Sequence, residues 1–228
     1  MSLIVGVIGG MGPVATVQYM ARVQALTPAA RDQDHLRLIV DCNPHVPDRN
    51  AAATAGGPSP AQVLAGMAKG LERSGAQMLA MPCNAAHAYA PEIQAAVSIP
   101  FLNLIDAVCD QAAAAAPSVG LLAADGCREA ALYQNGLSRR GVEAILCGET
   151  EQAAFMQLLY RIKAGDHGSE VRTRMRELAE DLIERGAQAI VAGCTEVPLV
   201  LGPADVPVPF ADSIEILAAR TVEAARAG

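Results

Sequence analysis

What this chain of 228 residues lacks narrows its function before any motif is read. It has no concentrated basic stretch. Arg172, Arg174 and Arg176 are interleaved with Glu170, Glu177 and Glu180, and the formal net charge is −7 with a pI near 5.1. An acidic surface of this kind attracts neither nucleic acid nor an anionic membrane as a partner. No apolar run approaches the roughly 20 residues of a membrane span. The opening Met1-Ser2-Leu3-Ile4-Val5 has no basic flank and is cut short by Gly6, Gly9 and Gly10, so it is expected to be a buried strand rather than a signal peptide. Lysine is nearly absent. Lys69 lies inside an amphipathic helical pattern, which leaves Lys163 and little prospect of a Schiff-base lysine for pyridoxal phosphate. No Cys-x-x-Cys pair occurs among Cys42, Cys83, Cys109, Cys127, Cys147 and Cys194; thinly spread and without a secretion signal, they read as reduced thiols of a cytoplasmic protein. The one tight metal-like spacing is Cys83 with His87, and nothing hints at two further ligands, so no metal is expected.

What is present is 52% apolar residues, enough to bury the core of one large domain or two small ones. Leu3 to Ile8 is a continuous β-branched run, as in a strand covered on both faces of a parallel sheet. Gly9-Gly10-Met11-Gly12-Pro13 is a tight turn, and Pro13 suits the first position of a helix over Val14 to Leu26. The pattern then predicts strands at Leu36–Val40, Gln77–Met81, Pro100–Asn103, Val119–Leu122, Val142–Leu146, Ala189–Ala192 and Val208–Ala211. Between them it predicts helices over Ala61–Ser74, Ala85–Val97, Gly126–Arg139, Glu151–Ala164 and Ser169–Arg185, with a last one from Ser213. The proline-punctuated stretch Asp41 to Asn50 reads as a loop, and Ala51 to Pro60 as its flexible continuation. Alternating strands and helices with short connections imply an α/β chain of parallel sheets.

The halves look like copies. Val5-Gly6-Val7-Ile8 matches Val119-Gly120-Leu121-Leu122 at an offset of 114, and Gly75-Ala76-Gln77 ahead of Cys83 matches Gly186-Ala187-Gln188 ahead of Cys194 at 111. Pro100-Phe101 with Ile105-Asp106 matches Pro209-Phe210 with Ile214-Glu215 at 109. Blocks in order at nearly one offset indicate an internal duplication. Two like α/β domains follow, 1–98 with 210–228 and 99–209, expected to face each other across a cleft.

Ligands of open parallel sheets bind beyond the carboxyl ends of the strands, where Cys83 and Cys194 should lie. Each is followed by a side-chain donor, Asn84 or Thr195, at an expected helix start, a setting that lowers a thiol pKa and offers backbone N–H groups to an anion. Two thiols facing each other across a substrate permit one to remove a proton from a carbon and the other to deliver one to the opposite face. That inverts the centre.

At this point the chain resembles the cofactor-independent aspartate/glutamate racemases. The resemblance rests on Gly9-Gly10-Met11-Gly12-Pro13, Asp32-Gln33-Asp34-His35, Pro47-Asp48-Arg49, Pro82-Cys83-Asn84 and Gly193-Cys194-Thr195-Glu196, and it spans essentially the whole chain. It is closer to the aspartate branch, because the glutamate branch has an Asp-Ser-Gly turn near its start and a His after the second Cys-Thr, where this chain has Gly10-Met11-Gly12 and Glu196. The resemblance implies two flavodoxin-like domains, no cofactor, Cys83 and Cys194 as paired acid and base, a small acidic amino acid as substrate and a homodimer. It also implies that Arg49 and Lys163 hold the substrate's side-chain carboxylate, a role a guanidinium fills with two parallel hydrogen bonds. Met11, Gly12, Asn43, Asn84, Ala85 and Thr195 complete the expected substrate-binding set, with His87 and Glu196 behind it. Ala85 stands where the family commonly has threonine.

Three other readings compete. Gly10-x-Gly12-x-x-Ala15 fits a dinucleotide fingerprint, but Asp41 comes about 30 residues on where the ribose-binding acid is needed at about 20. A two-lobed binding protein for an acidic amino acid would explain the duplication without needing thiols. A related cysteine-pair isomerase or a racemase of glutamate or broader specificity would share the fold.

Overall fold

The computed structural model describes residues 2–228. The chain runs β1 (Val5–Gly9), α1 (Pro13–Leu26), β2 (Leu38–Cys42), α2 (Arg49–Thr54), α3 (Ala61–Arg73), β3 (Met78–Ala80), α4 (Ala90–Ala96) and α5 (Leu104–Ala115). It continues through β4 (Ser118–Ala123), α6 (Asp125–Glu129), α7 (Leu132–Ser138), β5 (Glu143–Leu146), α8 (Glu149–Lys163), α9 (Ser169–Glu184), β6 (Ala189–Gly193), β7 (Phe210–Asp212) and α10 (Ser213–Ala227). The strands form two parallel sheets, ordered β2-β1-β3 and β5-β4-β6-β7. Among the described residues no helix is long and apolar enough to cross a membrane.

The chain divides into two compact units, Met1–Leu104 with Ile214–Gly228, and Ile105–Ser213. These borders fall later than the 98/99 and 209/210 read from the sequence. Phe101 makes a parallel bridge to Leu79 and so stays with the first sheet, while Phe210 pairs with Ile190 and stays with the second. Both borders now lie in the first turn of a helix, α5 and α10, at positions 109 residues apart.

In the first unit Ile8, Leu64, Leu71, Leu79, Met81 and Ile93 close a core from which water is excluded. In the second, Leu122, Phe155, Leu159, Met175, Leu182 and Ile190 do the same. Burial of each such side chain contributes about 1.5–3 kcal/mol. The duplication reaches into the packing of the central strands. A Cβ on Gly6 would stand 2.7 Å from Leu79 Cδ2, 2.8 Å from Ala76 Cβ and 3.2 Å from Leu71 Cβ. A Cβ on Gly120 would stand 2.8 Å from Ile190 Cδ1, 3.0 Å from Ala187 Cβ and 2.9 Å from Leu182 Cβ. The neighbours correspond one to one at the offset of 111 that relates the two thiols. In both units the strand glycine lets the helix and turn ahead of the thiol strand press onto the sheet.

Several elements depart from the sequence pattern. The stretch after Asp48 is not wholly flexible. The Asp48 carboxylate accepts the Ala51 N–H at 2.7 Å and caps α2, an N-cap that a pattern of alanines does not advertise. Ala85 to Val97 is a 3-10 turn, Ala85–Tyr89, followed by α4, which starts where Pro91 supplies a fixed φ. Gly126 to Arg139 is broken into α6 and α7 by Ala131, which adopts a left-handed φ of 49°. Pro100 to Asn103 is reduced to the single bridge at Phe101. The helix α5 carries no motif that announced it.

Candidate active site

Each unit carries its candidate residues at the carboxyl edge of its own sheet. In the first, β1 ends at Gly9, β2 at Cys42 and β3 at Ala80, so the parallel arrangement sets the Gly10–Gly12 turn, the Asn43–Arg49 loop and Cys83 beyond one edge. The turn is locked from inside. The Gly10 N–H donates to Thr16 Oγ1 at 2.9 Å, and the Thr16 hydroxyl donates to the Gly12 carbonyl at 3.2 Å. Gly10 has φ +93° and a Cβ there would stand 2.4 Å from the Asn43 carbonyl, so glycine is required where the two loops touch. Met11 is buried and Gly12 half-buried. The Asn43 side-chain carbonyl accepts the His45 N–H at 3.0 Å, fixing the turn out of β2. Arg49 lies half-buried, its Nη1 donating to the carbonyls of Val46 at 3.2 Å and Pro47 at 3.0 Å. Its charge also reaches the Tyr89 phenol. That phenol is pushed up first by burial and by Glu92, and Arg49 opposes them. Tyr89 was not foreseen, since its place on a 3-10 turn has no periodic signature.

Cys83 is buried, with Asn84 behind it and Ala85 partly exposed. His87, also buried, holds the loop at both ends. The Leu104 N–H donates to His87 Nε2 at 3.1 Å, so that nitrogen presents its lone pair and the ring proton sits on Nδ1, 2.8 Å from the Cys83 carbonyl it donates to. Phe101 packs on the ring at 5.4 Å between centroids. The histidine therefore fixes the backbone of Cys83 to the first residue of α5.

In the second unit β4 ends at Ala123, β5 at Leu146 and β6 at Gly193, and Cys194, Thr195 and Glu196 follow directly. All three are buried, at 9%, 2% and 5% relative exposure. The Cys194 thiol donates to Glu196 Oε2 at 3.1 Å, and Thr195 Oγ1 donates to the same oxygen at 3.1 Å. Glu196 Oε1 is paired with Lys163 Nζ at 2.6 Å. Burial and the neighbouring Glu196 carboxylate hold the Cys194 thiol well above its ordinary value, and Lys163 opposes them. The expectation of α-helix starts at the two thiols does not hold. Cys83 precedes a 3-10 turn, and Cys194 precedes another at Val197–Leu199, neither of which sums enough aligned peptides for a macrodipole. Lys163, expected on the substrate carboxylate, has its ammonium on Glu196. Thirty-three residues separate the pair, and only the docking of α8 against the β6 loop reveals it. The structure thus brings Met11, Gly12, Asn43, Arg49, Cys83, Asn84, Ala85 and His87 to one sheet edge and Lys163, Cys194, Thr195 and Glu196 to the other. Among the described residues no group of three or more His, Cys, Asp or Glu could hold a metal ion.

Two duplicated parallel α/β units, each closing its third strand with a buried thiol, define the racemase fold built on paired halves. The chain belongs to the Asp/Glu/hydantoin racemase family, whose model matches residues 8–221, and it is therefore an isomerase. It is 30% identical over 224 residues to a broad-specificity amino-acid racemase of Bacillus subtilis, covering 96% of both chains. The aspartate racemase of Picrophilus torridus superposes with a TM-score of 0.84 at 29% identity, over 98% of this chain and 94% of that one. An aspartate racemase homologue of Pyrococcus horikoshii gives 0.79 at 25% identity, over 99% and 100%. The glutamate racemase of Francisella tularensis, solved with D-glutamate, shares the fold with a TM-score of 0.68 at 17% identity, over 97% and 80%.

Proposed function

We propose that this racemase interconverts L- and D-aspartate without metal or organic cofactor, using Cys83 and Cys194 as the two bases. The observation that carries the reading is the matched placement of the thiols, each buried at the end of the third strand of its unit and preceded by the same packing of glycine, alanine and leucine. One thiolate takes the α-proton, the electron pair delocalises into the carboxylate, and the other thiol protonates the opposite face. Each cysteine is base in one direction and acid in the other. Arg49 supports an acidic substrate. With Nη1 on the Val46 and Pro47 carbonyls, its Nε and Nη2 edge presents the two parallel N–H groups that a carboxylate takes.

A broader substrate range is the second reading. It is favoured by the relationship to the broad-specificity enzyme of Bacillus subtilis, and by Ala85, which leaves no hydroxyl beside Cys83 to select a side chain. The test is incubation of either aspartate enantiomer in heavy water. Deuterium should enter the α-carbon while optical rotation decays. Cys83→Ser and Cys194→Ser should each abolish racemisation, because a hydroxyl is far too weakly acidic to serve as either base. Retention of the α-proton across aspartate, glutamate and a panel of neutral amino acids would sink the reading, and preference for a neutral amino acid would replace aspartate.

A further inference from the structure

The surroundings of the two thiol strands correspond in packing but not in charge. At the position two residues beyond the thiol, the first carries Ala85 and the second carries Glu196. The Glu196 carboxylate is saturated from three sides: Lys163 Nζ on Oε1 at 2.6 Å, and Thr195 Oγ1 and the Cys194 thiol on Oε2 at 3.1 Å each. Both oxygens of the Glu196 side chain are engaged as acceptors, so a thiol aimed at one of them must keep its proton to make the contact. A thiolate in that place would stand against a buried negative charge.

We propose that Glu196, braced by Lys163 and Thr195, keeps Cys194 protonated in the resting enzyme, so that each cycle from rest begins with Cys83 as the base and Cys194 as the acid. This rests on the two-thiol reading of the site. The α C–H bond breaks toward Cys83, its electron pair is shared between the α-carbon and the carboxylate, and the Cys194 S–H bond breaks to place its proton on the opposite face of that carbon. The product enzyme carries the proton on Cys83 and a thiolate beside Glu196, a state that reverts by turning over the other enantiomer or by proton exchange with water. The resting enzyme is therefore loaded for one enantiomer. Glu196 is a positioning residue here, since it acts through Cys194.

The charged and titratable groups that face Cys194 are Glu196 on its own loop, Lys163 from the end of α8 and the phenol of Tyr133 from α7. Tyr133 is fully buried, and its ring Cε2 is 3.0 Å from where a Cβ of Gly193 would stand. Burial first, and then the neighbouring thiols, push its phenol well up from the ordinary value. That leaves the Glu196–Lys163 pair as the switchable influence. The two members act with opposite sign.

The test uses the full chain and a small alkylating probe. Wild type, Glu196→Gln and Lys163→Met are treated with iodoacetamide from about pH 6 to about pH 10, and carbamidomethylation at Cys83 and at Cys194 is followed separately by mass spectrometry of peptides; the thiolate is the reacting form. The titration midpoint, unlike the absolute rate, does not depend on access. Glu196→Gln should lower the Cys194 midpoint and raise its rate at neutral pH at least about tenfold, one unit in pKa being tenfold in thiolate. Lys163→Met should move it the other way, and Cys83 should keep its profile in both. In parallel, enzyme in excess over substrate should turn over one aspartate enantiomer faster than the other in the first cycle, and Glu196→Gln should erase that difference. Equal Cys194 midpoints in wild type and both variants would overturn the proposal. So would a first-cycle asymmetry unchanged in Glu196→Gln. Absence of any α-hydrogen exchange in the wild type is a different failure, that of the two-thiol reading, and the alkylation midpoints still decide the protonation of Cys194.

Discussion

Replacing His87 by alanine removes two hydrogen bonds of a buried ring, one to the Cys83 carbonyl at 2.8 Å and one from the Leu104 N–H at 3.1 Å. Each backbone group left without that partner costs about 1–3 kcal/mol, because neither sits where water readily replaces the ring. The lost contact with Phe101 adds a cavity cost. The two hydrogen-bond terms alone come to about 2–6 kcal/mol, a large part of the roughly 5–15 kcal/mol that holds a domain folded. His87→Gln is the control, since an amide of similar reach can donate with its NH2 to Cys83 and accept from Leu104 with its oxygen. Urea unfolding followed by circular dichroism should show the alanine variant losing that stability and the glutamine variant recovering more than half. Racemisation by folded His87→Ala should fall with a loss in kcat rather than in KM, since the Cys83 backbone is released and no substrate contact is removed. A stability loss below about 1 kcal/mol in His87→Ala would refute the two-sided clamp, given the lower bound for one unsatisfied buried group.

Other consequences follow from the packing and the thiols. Gly6→Ala and Gly120→Ala each force a methyl to within 2.7–2.8 Å of a neighbouring side chain, so each should cost about 1–3 kcal/mol in chemical denaturation, with similar values in the two units. A neutral result in one and a large loss in the other would contradict the duplicated packing. Burial pushes the Cys109 thiol up to about 12 and the Cys147 thiol up to about 11, from 9.0. A group with a raised folded pKa contributes stability that is complete below its unfolded value and lost as pH rises through the folded one. Each thiol should therefore remove about 1.4 kcal/mol per pH unit between about pH 9 and its own value. Denaturation midpoints across alkaline pH should show a shallower decline in Cys147→Ala; an unchanged slope would disprove the contribution. Gly10→Ala combines a φ of +93° with a backbone collision at 2.4 Å, so it should cost more stability than Gly6→Ala and displace the Asn43 loop, weakening substrate affinity in a KM measurement.

The sequence by itself determined the parallel α/β class and the repeat, and it singled out the two thiols and the loop arginine as candidates. These are properties written in local order: β-branched runs at strand spacing, glycine turns before helices, and blocks recurring at offsets of 109 to 114. Covalent neighbours of the thiols, Asn84 and Thr195, were legible for the same reason. What the sequence left open depends on groups far apart in the chain. Asp48 capping α2 converts an apparently loose alanine stretch into a helix, and Ala131 in a left-handed conformation splits one expected helix into two, because a backbone conformation is chosen by the contacts on both sides of it. His87 read as a histidine one turn beyond a cysteine. Only its second partner at Leu104, 17 residues on, assigns the proton to Nδ1 and makes it a clamp. Lys163 read as a cation for substrate, and its ion pair with the buried Glu196 carboxylate appears only once α8 docks on the β6 loop. Electrostatic roles of this kind are decided by tertiary structure, since the sign and distance of a neighbouring charge in a low-dielectric interior outweigh anything in the local sequence.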